Sequence, residues 1–110
     1  MAYRVIISDI AQEELESSFL HILHEFTNPH AAKLFLEDAL ATINRLSIMA
    51  DSFPVCEEPY LKEAGCRVIH FKKYRYKIVY RIVGKRVEID GIYHNLQDFS
   101  NRYKEDYPLE

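Results

Sequence analysis

Two hydrophobic periods alternate along the chain. Tyr3-Arg4-Val5-Ile6-Ile7 is a short, nearly continuous apolar run of strand length, and it predicts a buried strand. Ala11, Leu15, Phe19, Ile22 and Phe26 then recur at helical spacing, while Glu13, Glu14, Glu16 and Glu25 fill the opposite side. That pattern predicts an amphipathic helix with an acidic outer face. Ser8 or Asp9 can cap it, with Asp9 and Gln12 at capping-box spacing. Asn28-Pro29 closes this helix and opens another, since Asn caps well and Pro at the first helical position has no N–H to lose. Ala32, Phe35 or Leu36, Ala39, Ile43 and Leu46 mark the apolar side of the second helix. So short a turn predicts an antiparallel helical hairpin.

Residues 47–64, with Pro54 and Pro59, read as a loop or an irregular approach to a strand. Three strands are predicted beyond it. Arg67 to Phe71 is the first, and Tyr76 to Val83 the second, with Ile78, Tyr80 and Ile82 on one face against Lys77, Val79 and Arg81. Gly84-Lys85 suits a two-residue hairpin turn into Val87 to Tyr93, where Gly91 marks a bulge. Leu96 to Tyr103 is the length of a short helix. The order β-α-α-β-β-β predicts one α+β domain over residues 1–110, its hairpin on one face of a mainly antiparallel sheet.

Composition narrows the class. The 48% apolar and 28% charged content is that of a globular chain, and 110 residues make one domain. No apolar run approaches the roughly 20 residues that cross a bilayer, and the N-terminus enters a strand at once, without a signal-like core. The expectation is a cytoplasmic protein with no membrane association. Cys56 and Cys66 lack metal-site spacing and a second pair. In a reducing compartment they are expected as free thiols, a disulfide between them being the alternative.

Charge is unevenly placed. Residues 1–60 hold three basic side chains against ten acidic ones, a balance of −7, and residues 61–104 hold eleven against four, a balance of +7. Glu105, Asp106 and Glu110 bring the total to −3. A basic half can draw phosphate or an acidic partner to a mildly acidic protein.

Four segments, in order, resemble the RelE/ParE toxin superfamily, the plasmid-stabilisation-type toxins of bacterial type II toxin–antitoxin systems. Ser8 with Ala11, Glu14 and Leu15 resembles the opening of its first helix, and Gly65-Cys66-Arg67 its Gly-x-Arg segment. Tyr76-Lys77-Ile78-Val79-Tyr80 is similar to its Tyr-Arg-Leu/Ile-Val-Tyr strand. Ile92-Tyr93-His94-Asn95-Leu96-Gln97-Asp98-Phe99 is similar to its closing pattern. The resemblance spans roughly residues 3–99 and implies the fold already read. It also implies a cognate antitoxin that wraps the toxin, and one of two activities. RelE-type members cut mRNA on the ribosome without a metal; ParE-type members poison DNA gyrase.

Metal-free RNA cleavage needs a group to take the 2′-hydroxyl proton, cations for the phosphate and an acid for the leaving oxygen. By position, the resemblance makes His70, Lys77 and His94 the catalytic candidates, with Arg67, Lys72, Lys73, Arg75 and Arg81 for RNA phosphate or a partner. Val68 stands where the RelE branch has a second strand lysine, and Lys77 stands where it has an arginine. The bland alternatives are that His94 bonds the Gln97-Asp98 turn, that His70 is a structural residue on the face of Val68, and that Lys77 and the 72–75 run are solvated. His21, His24 and His30 lack partners at ligand spacing and are expected to be inert. No metal or cofactor is implied. The leading expectation is a toxin acting as an endoribonuclease on translated mRNA. The alternatives are a gyrase inhibitor and a non-toxic binding module that kept the fold.

Overall fold

A computed structural model describes residues 2–25 and 27–108, so Phe26 of the first helical stripe lies outside the described residues. Strand β1 (Arg4–Ile7) leads into helices α1 (Asp9–Glu25) and α2 (Pro29–Met49). A 3-10 turn (Ala50–Ser52) and helix α3 (Pro59–Ala64) precede β2 (Arg67–His70), β3 (Tyr76–Val83), β4 (Arg86–His94) and α4 (Phe99–Asp106). Ser8 is the cap of α1, its hydroxyl oxygen accepting the Ala11 N–H at 3.1 Å. Asn28 caps α2 by accepting the N–H groups of His30 and Ala31 at 3.1 and 3.2 Å.

The four strands lie in the order β1-β4-β3-β2, with β1 parallel to β4 and the other pairs antiparallel. The α1–α2 hairpin covers one face. Ala11, Leu15 and Ile22 of α1 and Phe35, Ala39 and Leu46 of α2 bury against Ile69, Ile78, Tyr80, Val87, Ile89 and Ile92. Leu46 is fully buried here, and truncating such a residue to Ala costs roughly 2–5 kcal/mol. The β3–β4 turn carries a positive φ of 63° at Gly84, which a side chain would strain.

Ile89 and Ile92 are an odd number of residues apart, yet both reach the hairpin side. A bulge makes this possible. Val79 pairs with Gly91 and Tyr80 with Ile89, leaving Asp90 over and switching the parity of β4. Gly91 is required at this point, because a Cβ there would strike the fully buried ring of Tyr93.

Residues 47–64 are more ordered than the sequence suggests. Glu58 caps α3 through the Leu61 N–H at 3.1 Å, and Gly65 ends it at φ 80°. Six residues are too few to show a helical period. Leu61, Cys66, Val79, Tyr93 and Tyr103 make a second core on the sheet face away from the hairpin, under α3 and α4. Both faces of β3 are therefore covered, and Tyr76 to Tyr80 are all buried.

Candidate functional site

His94, Lys77 and His70 sit on adjacent strands, but the pleat separates them. Tyr76 pairs with His94, and both side chains look toward the hairpin; their rings meet edge to face at 5.0 Å. His94 Nδ1 accepts the Leu96 N–H at 3.0 Å, and the His94 backbone N–H donates to Gln97 Oε1 at 2.8 Å. The imidazole therefore shapes the 94–97 turn, and His94 lines a cleft with Ser17, Ser18 and His21.

Lys77 pairs with Tyr93 and points to the opposite side. Its side chain is only 8% exposed, and Nζ lies 4.2 Å from the centroid of the Phe99 ring. Burial pushes its pKa below the ordinary lysine value. His70 is the cross-strand partner of Lys77 and is exposed. His70 and Lys77 thus share a face, and His94 has the other.

The basic candidates divide by what holds them. Arg67 donates to the Phe53 carbonyl, tying β2 to the segment before α3. Arg81 closes on Asp90, and that carboxylate raises its already high pKa. Lys72, Lys73 and Arg75 stay exposed, and among the described residues no carboxylate forms an ion pair with them. They crown a rigid loop. Asp38 of α2, itself nearly buried, accepts the backbone N–H groups of Lys72 (3.3 Å), Lys73 (2.8 Å) and Tyr74 (2.9 Å). Behind the loop, Lys73, Arg75, His21 and His94 rim a cleft of about 510 Å³ floored by Ile22, Ala31 and Tyr76.

Three acidic residues matter here, and one of them, Glu14, is turned in against β4 and not out to the acidic face on which the helical pattern placed it. Asp38 shapes the basic loop, and Asp90 holds Arg81 and the Tyr103 hydroxyl. Glu14 of α1 accepts the Ile92 N–H at 3.1 Å, and burial raises its pKa to about 7. In sequence, Glu14 stood in the first-helix resemblance and Gly91 marked the bulge beside Asp90, while nothing marked Asp38. Among the described residues, no three His, Cys, Asp or Glu side chains are grouped to hold a metal ion, and no helix is long and apolar enough to cross a membrane.

The family described as the ParE toxin of the type II toxin–antitoxin system, parDE, matches residues 5–99. A solved structure of the chromosomal ParDE toxin–antitoxin system from P. aeruginosa is similar in fold, with a TM-score of 0.71. Identity to it is 18%, over 84% of this chain and 96% of that one. No curated protein matches in sequence. The family match runs from β1 through every strand to the start of α4, covering both faces of the sheet. This chain belongs to the ParE toxin family of type II toxin–antitoxin systems.

Proposed function

We propose that this toxin acts by binding DNA gyrase, not by cutting mRNA, and that a cognate antitoxin neutralises it. The observation that carries this reading is the separation of His94 from Lys77 and His70 by the plane of the sheet. An acid–base pair and a phosphate-holding cation must converge on one reacting group. Among the three catalytic candidates, Lys77 is buried under Phe99 while the His94 imidazole takes part in a turn, and the cations that share the His94 cleft, Lys73 and Arg75, lie on the exposed loop. A poison needs only a rigid surface. The loop of Lys72, Lys73 and Arg75, pinned by Asp38, is such a surface, and it suits acidic patches on gyrase or on the antitoxin.

The test combines two readouts on the intact chain. Purified protein added to gyrase and relaxed plasmid should block supercoiling or trap cleaved DNA. Ribosome-bound messages from cells expressing the chain should keep their normal 5′ ends. Normal supercoiling with discrete new 5′ ends overturns the reading in favour of the nuclease. Normal growth at high soluble expression leaves the non-toxic binding module.

A further inference from the structure

The two cysteines are ten positions apart in sequence, but the fold sets them opposite one another. Val55 and Arg67 form an isolated antiparallel bridge, so the next pair inward is Cys56 with Cys66. The Cys56 N–H donates to the Cys66 carbonyl at 2.8 Å, which fixes that register. Directly opposed residues of an antiparallel pair project to the same face. Cys66 is fully buried in the second core, and Cys56 packs against the same cluster.

The spacing typical of such a pair is compatible with a bond. Opposed Cα atoms in antiparallel pairs stand roughly 4.5–5.5 Å apart. Disulfides span Cα separations of about 4.4–6.8 Å. Neither backbone would have to move far to join the sulfurs. Both thiols are free here.

We propose that Cys56 and Cys66 are a disulfide-forming pair, closed by a peroxide, that fastens α3 and through it α4 to the sheet. The Cys56 thiolate sulfur attacks the peroxide, breaking the O–O bond; the sulfur becomes a sulfenic acid and the other oxygen leaves as water after protonation. The Cys66 sulfur then attacks the Cys56 sulfur. The S–S bond forms, the S–O bond breaks, and hydroxide departs as water with the Cys66 proton. Two thiols lose two electrons, and one peroxide becomes two waters.

Cys56 is the half-buried member and meets the oxidant; Cys66 resolves from beneath. Burial raises the pKa of both thiols, that of Cys66 to about 11, so closure is slow at neutral pH and speeds up as pH rises. The closed ring contains α3, whose Tyr60 donates to the Tyr107 carbonyl and whose capping Glu58 meets Lys104 of α4 at 3.2 Å. Fastening the ring therefore also restrains α4, the cover over Lys77 and Val79.

The folded chain is incubated with hydrogen peroxide, without denaturant, and digested without reduction. The expected product is one peptide pair joined through Cys56 and Cys66, with loss of two free thiols per chain. By the chain-entropy account Tm should rise by about 10 °C, and dithiothreitol should reverse it. Cys66→Ser should instead leave Cys56 as sulfenic acid, trapped by dimedone, with no rise in Tm. Sulfinic acid on Cys56 in the unsubstituted chain, or crosslinking only in denaturant, overturns the pairing. Cross-linked chains joined through Cys56 overturn it too.

Discussion

Arg81 and Asp90 lock the β4 bulge from opposite strands, through Nε to Oδ2 at 2.5 Å and Nη2 to Oδ1 at 3.0 Å. Asp90 is the residue the bulge leaves unpaired, yet its carboxylate also accepts the Tyr103 hydroxyl at 2.8 Å. Its backbone carbonyl accepts the Tyr107 hydroxyl at 2.7 Å, so this position also helps to tie α4 and the chain beyond it to the sheet. The Asp90 side chain is almost fully buried while Arg81 keeps about a third of its exposure. Removing the buried member leaves Arg81 part-exposed with Glu88 at 3.7 Å and orphans the Tyr103 hydroxyl. Asp90→Ala should cost about 1–3 kcal/mol, the usual penalty for leaving a buried hydroxyl without its partner, since the Arg81 charge left behind is part-exposed. Asp90→Asn, which keeps the acceptor for Tyr103, should cost less. Urea unfolding reads both, and equal midpoints for Asp90→Ala and the unsubstituted chain would refute the locking role.

A second prediction concerns the basic loop. Asp38 gathers three backbone N–H groups that have no other protein acceptor in the described hydrogen bonds. Orphaning buried polar groups costs about 1–3 kcal/mol, and here part of that is relieved by water at the loop surface. Asp38→Ala should therefore destabilise modestly but loosen the loop sharply. Hydrogen exchange at Lys72, Lys73 and Tyr74 should accelerate by tenfold or more, with β4 amides little changed. Unaltered protection at those three amides would show that the Tyr74 hydroxyl bond to the Ala31 carbonyl holds the loop by itself.

Much of this architecture was legible in the chain, and the gaps have physical causes. The helical stripes of α1 and α2, the Asn28-Pro29 junction and the Gly91 bulge are local signals, and each falls where the pattern placed it. The two-residue alternation also assigned Lys77 and Ile78 to opposite faces correctly. What alternation does not carry is what covers each face. Six-residue α3 and the tail helix bury the Lys77 side, turning an expected open catalytic surface into a second core. Asp38 was silent because its partners lie 34 to 36 positions away. The parallel pairing of β1 with β4 joins the chain's two ends, so no neighbouring residue announces it.

Glu14 supplies a pH dependence with a definite sign. Burial raises its carboxyl pKa from an ordinary 4.5 to about 7, so the folded state holds this proton more tightly than the unfolded state. Its contribution to stability is fully present below about pH 4.5 and is lost as pH rises through about 7. Glu14→Gln keeps an oxygen for the Ile92 N–H but cannot ionise. Relative to the unsubstituted chain, the variant should gain stability between pH 5 and pH 8. Denaturant midpoints at the two pH values measure the difference, and parallel behaviour of the two proteins would refute it.

Lys77 separates the two activities most cleanly. In a nuclease its ammonium would stabilise charge that develops in the transition state, and losing such a group costs about a hundredfold or more in rate. In the fold it lies at 8% exposure over Phe99, where desolvation opposes the charge and the ring returns only about 0.5–2 kcal/mol. Lys77→Met fills the same space without a charge to desolvate, so stability should hold or rise slightly. If the toxin works by binding gyrase, arrest by Lys77→Met should match the unsubstituted chain within a few-fold, with supercoiling blocked to the same degree. Growth is scored by colony counts after induction, and the fold by urea midpoint. A well-folded Lys77→Met that no longer arrests growth, while the unsubstituted chain leaves new 5′ ends on ribosome-bound message, would return Lys77 to catalysis. The gyrase reading would then fall.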